Sequence, residues 1–182
     1  MVFLSNVSNL LLMKKAIVFC SLAFISAALL FAACKKNNGS TELKINLTDA
    51  PYDAQQVNVE IKEVHVNFNG ESTGWTTLET VAGVYDLLKL QNGVDTFLAS
   101  GTVPTGTLKE LRLVLGTQNT IMIDSVIYPL STPSSQQSGL KIKMNRSLAA
   151  GLDSLLIDFD AALSISKDGG GNYILQPVIK LK

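Results

Sequence analysis

"VNVEIKEVHV", residues 57–66, sets the period of this chain. Val57, Val59 and Ile61 alternate with polar neighbours, and Val64, Val66 and then Phe68 continue with the parity reversed. A period of two places alternate side chains on one face of a strand. The swap at Lys62-Glu63 is what one extra residue in a long strand, a β-bulge, produces; a break between two strands is the other reading.

The same pattern recurs on both sides. "LKINL" (43–47), "WTTL" (75–78), "GVYDLLKL" (83–90), "LKELRLVLG" (108–116), "TIMIDSVIYPL" (120–130), "LKIKM" (140–144), "LLIDFDA" (155–161) and "YILQPVIKLK" (173–182) read as strands. Turn signals separate them: "TDAPYD" (48–53), "NGEST" (69–73), "QNG" (91–93), "PTG" (104–106), "STPSSQQSG" (131–139) and "KDGGGN" (167–172). Many short strands at this spacing predict an all-β fold, a β-sandwich. A short helical turn is expected near Val94–Leu98, and "DLLKL" (86–90) also fits a helix.

Ahead of this region the composition changes. The chain has 182 residues, 47% of them hydrophobic, and much of the apolar excess sits in "AIVFCSLAFISAALLFAAC" (16–34) behind Lys14 and Lys15. A short basic segment, an apolar run and small residues at Ala32 and Ala33 predict a signal peptide over residues 1–33. Against the roughly 20 apolar residues of a membrane span the run is only marginally long enough, so length alone leaves an uncleaved anchor as the alternative. "MKKAIVF" at Met13 reads as a signal-peptide start in its own right, so Met13 is a candidate true start. "LFAAC" resembles the lipobox of bacterial lipoprotein precursors, which implies cleavage before Cys34 and diacylation of its sulfur. One acyl chain gives marginal membrane binding, whereas two anchor stably. Cys34 is thus a lipidation site, residues 34–41 are the lipidated cysteine and a polar tether, and the folded domain is expected over 42–182.

Within that domain a resemblance emerges. "LTDAP", "VNVEIKEVHV", a Trp-Thr-Leu stretch, "DLLKLQNG", "VPTGTLKELRLVLG", "SGLKI", "LIDFDA" and "GGNYILQPVIK" follow one another in the order found in the DUF4382 family, a domain of bacterial and archaeal secreted and lipid-anchored proteins. The resemblance implies an immunoglobulin- or transthyretin-like β-sandwich, and it implies no activity.

The residues offer little for catalysis. Removing residues 1–33 takes away Lys14 and Lys15 and no acid, leaving 13 basic and 15 acidic side chains, a net charge of about −2. That balance, with scattered cations, excludes nucleic acid as an expected partner. The single histidine, His65, lies on the polar side of its strand with no nucleophile motif nearby. With Cys34 acylated and Cys20 in the leader, no thiol is left for zinc or disulfide chemistry. "DGGGN" lacks the strand-to-helix setting of a phosphate loop and reads as a hairpin turn.

Calcium stays open as the one cation to weigh, and no other cofactor is expected. Its candidate ligands are Asp49 and Asp53 in "TDAPYD" and Asp158 and Asp160 in "IDFDA". Two carboxylates on one strand face repel unless a cation lies between them. The alternatives are a solvated face, pairing with Lys141, Lys143 or Arg146, and a turn-closing role for Asp49. Trp75, Tyr52, Tyr85, Tyr128 and Tyr173 are candidates for a sugar-stacking platform; in a domain this small most serve the core, Trp75 among them.

The expectation is therefore a non-enzymatic binding or structural module, lipid-anchored on the cell envelope. Its partners would be the membrane, through the N-terminal lipid, and a glycan or an envelope protein. Lys35 after the lipidated cysteine favours the outer over the inner membrane. The alternative is a subunit of a fimbrillin-like surface polymer, with Leu43–Leu47 or Tyr173–Lys182 as exchangeable strand. A carbohydrate-active enzyme is a distant third.

Overall fold

Strand β2 (Gln56–Asn67) is the hub of the fold. It pairs antiparallel with β3 (Trp75–Thr80) and β4 (Gly83–Asp86) along one edge, and with β6 (Gly106–Leu115) and β7 (Thr120–Ile123) along the other. The register against β6 shifts between Ile61 and Glu63, so Lys62 is the extra residue of a β-bulge. Its effect is the one the parity swap demands: Val57, Val59 and Ile61 before the bulge, and Val64 and Val66 after it, are all fully buried in the same core.

The structure is a computed structural model that describes residues 39–71, 73–133 and 139–182. The expected signal peptide, Cys34 and residues 35–38 lie outside the described residues, as do residues 134–138 of the polar 131–139 loop. No helix among the described residues is long and apolar enough to cross a membrane.

A second set of strands is built on β1 (Ser40–Thr48). β1 pairs antiparallel with β5 (Thr96–Pro104) and parallel with β10 (Gly151–Phe159); β13 (Ile179–Leu181) lies antiparallel beyond β10. β8 (Val126–Ser131) forms a hairpin with β7 through a turn with positive φ at Asp124 and Ser125. From β8 the sheet continues through β12 (Tyr173–Leu175) to β11 (Ile165–Lys167), while β9 (Leu140–Leu148) flanks β6. One hydrogen-bonded path runs β11-β12-β8-β7-β2-β3-β5-β1-β10-β13. The sheet curls on itself, and the fold is all-β and sandwich-like. Leu43, Ile45 and Leu47 of β1, Leu111 and Leu113 of β6, and Ile157 and Phe159 of β10 join the β2 valines in one core. Each such side chain contributes roughly 1.5–3 kcal/mol by leaving water.

Several expectations need correction. β1 starts at Ser40, two residues ahead of the expected start of the folded domain at Glu42. Thr41 is fully buried, and its hydroxyl donates to Ala149 O at 2.6 Å. The helical turn near Val94–Leu98 is absent: Phe97 and Leu98 belong to β5, held between β1 and β3. The helical option for "DLLKL" holds over Leu87–Leu90, a single 3-10 turn with Leu87 and Leu90 buried. "YILQPVIKLK" is two strands, because the chain passes from β12 to β13 through Gln176-Pro177-Val178 and changes neighbours on the way.

Candidate functional site

The parallel register of β1 on β10 sets Thr48 beside Asp158, so the turn after β1 meets the end of β10. β10 stops at Phe159, and Asp160 caps the single-turn helix α1 (Ala161–Ser164) by accepting from Leu163 N at 3.1 Å. Asp49 Oδ1 accepts from Ala161 N at 2.9 Å, and Gln91 Nε2 donates to Asp49 Oδ2 at 3.1 Å. Asp49, Asp158 and Asp160 are 2%, 5% and 6% exposed. Three carboxylates are therefore buried at one end of the core.

Lysine side chains compensate two of them. Lys180 of β13 and Lys182, one residue beyond it, face these acids: Lys180 Nζ lies 2.8 Å from Asp160 Oδ2, and Lys182 Nζ 3.1 Å from Asp158 Oδ2. The Lys180 ammonium holds the Asp160 carboxyl below the usual range against the opposing effect of burial, with the Leu163 N–H assisting. Among the described residues Asp49 has no such partner. Burial pushes its carboxyl up to about 6; the Ala161 and Gln91 hydrogen bonds pull down and the charge of Asp158 pushes up further. Asp158 Oδ1 is buried with no hydrogen-bond partner among the described residues.

This geometry bears on the calcium candidates residue by residue. Asp53 is exposed and stands apart in a bend. Among the described residues no group of three or more His, Cys, Asp or Glu is arranged to hold a metal ion. The face of Asp158 and Asp160 is not solvated, and Lys141, Lys143 and Arg146 are not their partners: Lys141 and Lys143 lie on β9, and Arg146 pairs with Asp153 at 3.1 Å. The cations at the pair are Lys180 and Lys182. The signal that points to them is the matching i, i+2 spacing of "DFD" and "KLK".

The outer face of β2, β3, β6 and β9 carries a second group. His65 Nε2 lies 2.9 Å from Glu63 Oε2, and Nδ1 lies 2.9 Å from the Thr77 hydroxyl. The neutral tautomer with Nε2–H donates to Glu63 and accepts from Thr77. This chain of hydroxyl, imidazole and carboxylate lies flat on a strand face, with Thr77 and Glu63 exposed. Next to it Trp75 contradicts its expected place in the core. Leu78 is the inward residue of β3, so parity sends Trp75 outward, where it is half-buried with the Arg112 guanidinium 4.0 Å over its ring.

The five aromatics do not form one platform. Tyr173 is buried against Tyr128 with ring centroids 5.2 Å apart and Lys167 4.7 Å over its ring. Tyr128, Pro129, Tyr173 and the Gly170–Asn172 turn line a cleft of about 190 Å³. Tyr52 packs on the edge of the core, and Tyr85 donates to Val81 O on another part of the surface. The turn itself is a hairpin turn, as expected: Asp168 Oδ1 accepts from Gly170 N and Asn172 N, both at 2.8 Å. A further cleft, about 340 Å³, opens beside the bulge and is lined by Lys62, Thr117, Asn119, Leu130 and Thr132.

Comparison with known proteins gives one result. The family model "Domain of unknown function (DUF4382)" matches residues 40–177, from the first residue of β1 to just beyond β12. The chain belongs to the DUF4382 family. No curated protein and no solved structure matches it. The match takes in β1 to β12 of the DUF4382 domain with Asp49, Asp158 and Asp160, and it stops short of Lys180 and Lys182.

Proposed function

We propose that this DUF4382 chain is a lipid-anchored, non-enzymatic binding or structural module of the cell envelope, held at the outer membrane through Cys34. The observation that carries the reading is the placement of "LFAAC". The lipobox-like cysteine ends the apolar run, and only Lys35–Gly39 separate it from β1 at Ser40. Two acyl chains on that cysteine supply a stable anchor. The sheet then follows the tether directly. A non-enzymatic role is supported by His65, whose hydroxyl and carboxylate partners lie on an exposed strand face rather than in the wall of a cleft.

Globomycin treatment of expressing cells tests the anchor. An uncleaved precursor should accumulate, and Cys34→Ser should leave the membrane fraction. Unchanged processing, or a membrane-bound Cys34→Ser chain, removes the reading.

One observation bears on the polymer alternative. β1 is held on both sides by β5 and β10, so it is a poor exchangeable strand, whereas β13 is paired on one side over three residues. A subunit ladder on undenatured gels that disappears on deletion of residues 173–182 would favour the polymer.

A further inference from the structure

The protein contains 15 acidic side chains, the first of them Glu42, and all lie among the described residues. Their ion pairs engage His65, Lys89, Arg146, Lys180 and Lys182. No carboxylate among the described residues lies within 4.0 Å of Lys109, Arg112, Lys141 or Lys143. These four cations sit on two adjacent strands, β6 and β9. Arg112 lies directly opposite Lys141, and Glu110 opposite Lys143. Like charges directly opposite destabilise a strand pair.

The position of Arg112 is tightly defined. Its guanidinium lies 4.0 Å over Trp75, and Lys141 Nζ lies 5.7 Å from the same ring. Gly139, at φ +96°, leaves room for its stem; a Cβ there would meet Arg112 Cγ and Cδ at 2.7 Å. Among the described residues Arg112 Nε is buried without a hydrogen-bond partner. Edge lysines discourage pairing with a foreign sheet, which accounts for Lys141 and Lys143 on β9. It does not account for Arg112, which is on an inner strand. No carboxylate among the described residues lies within 4.0 Å of either member of the pair, which leaves both free to meet an anion from solution.

We propose that Arg112 and Lys141, set over Trp75, bind the carboxylates of an acidic polysaccharide, with Lys143 extending the contact along β9. Lys141 and Lys143 are about 7 Å apart on one strand face, which suits a polymer with repeated charges. A hydrated polyanion fits better than a lipid surface. Membrane-binding faces combine cations with apolar side chains that insert, and the exposed Val126, Ile127, Leu152, Leu163 and Leu181 lie on β8, β10, α1 and β13, none of which pairs with β6 or β9. This site deepens the binding role proposed above and rests on that reading for its envelope address alone.

The test uses the full chain in neutral detergent. Trp75 is the only tryptophan, so its emission reports on the site itself. Oligogalacturonate should give a saturable change that its methyl ester does not. Lys141→Gln and Arg112→Gln should each weaken binding at least tenfold, while Lys44→Gln, an unpaired cation on β1, should leave it unchanged. Because Arg112→Gln also removes the stack on Trp75, calorimetry on Lys143→Gln, an exposed position, supplies a second measure with an expected loss of several-fold. An equal response to the ester, or an equal loss in Lys44→Gln, overturns the site. Tighter binding to phosphatidylglycerol vesicles that oligogalacturonate fails to compete overturns the choice of polysaccharide. Loss of anchoring is read separately, by fractionation of Cys34→Ser, and leaves the emission result standing.

Discussion

Asp49 makes the stability of the domain depend on pH in a direction unusual for an aspartate. Its carboxyl titrates at about 6 in the fold against 3.8 unperturbed. Below about pH 4 the group is protonated in both folded and unfolded chains, and it adds no penalty. As pH rises from about 4 to 6 the unfolded chain releases its proton first, so the folded state loses stability until both are ionised. At about 1.36 kcal/mol per unit, the loss above pH 6 is on the order of 3 kcal/mol. Asp49→Asn keeps an oxygen to accept from Ala161 N and removes the charge. Urea unfolding of Gly39–Lys182, followed by circular dichroism from pH 4 to 8, measures the effect. The difference in unfolding free energy, variant minus wild type, should rise by about 3 kcal/mol between pH 4 and pH 7 and then stay level. Titrating groups that do not interact with Asp49 cancel in that difference. A difference that stays flat across this range would refute the account of Asp49 as a buried, uncompensated carboxyl.

The partner acids behave in the opposite sense. Asp160 is held low by Lys180, so its contribution is present above the ordinary aspartate range and is lost as pH falls through its lowered value; Lys180→Met should destabilise the domain at pH 7 and flatten the acid limb of the unfolding profile. Gly116→Ala would put a Cβ 1.9 Å from Glu60 Oε2 and displace the carboxylate from Gln118 N. The expected cost is about 1–2 kcal/mol, and it should vanish in a Glu60→Ala background, a coupling that a double-mutant cycle in urea resolves. Phe159→Ala empties a fully buried site at the end of β10 and should cost about 3–5 kcal/mol by chemical denaturation.

The sequence was most informative where the pattern was local. Parity along β2 was enough to place the core face and the swap at Lys62-Glu63, because side-chain alternation is a property of the strand alone; the register against β6 decides for a bulge over a break. Parity also pointed Trp75 outward once Leu78 was taken as inward, and the size of the indole argued the wrong way. β5 was hidden because Ala99-Ser100-Gly101 have weak strand preference; β1 and β3, distant in sequence, hold them extended. The carboxylate group was half legible. Asp158 and Asp160 stood out by spacing, but their cations depend on β13 lying beside β10, a neighbour relation set by the turn through Pro177. Arg112 over Trp75 had no local signal, since 37 positions separate the two residues and only the β2–β3 and β2–β6 registers bring them together.

The parallel pairing of β1 with β10 also sets the timing of folding. Thr41 to Thr48 find their partners at Gly151 to Asp158, near the far end of the chain. A chain delivered N-terminus first, from a ribosome or through a membrane pore, therefore cannot complete its first strand until most of its length has emerged. Contacts this distant along the chain slow folding. Lys180 and Lys182 follow Asp158 and Asp160 along the chain, so the buried acids are neutralised only once β13 has docked beside β10.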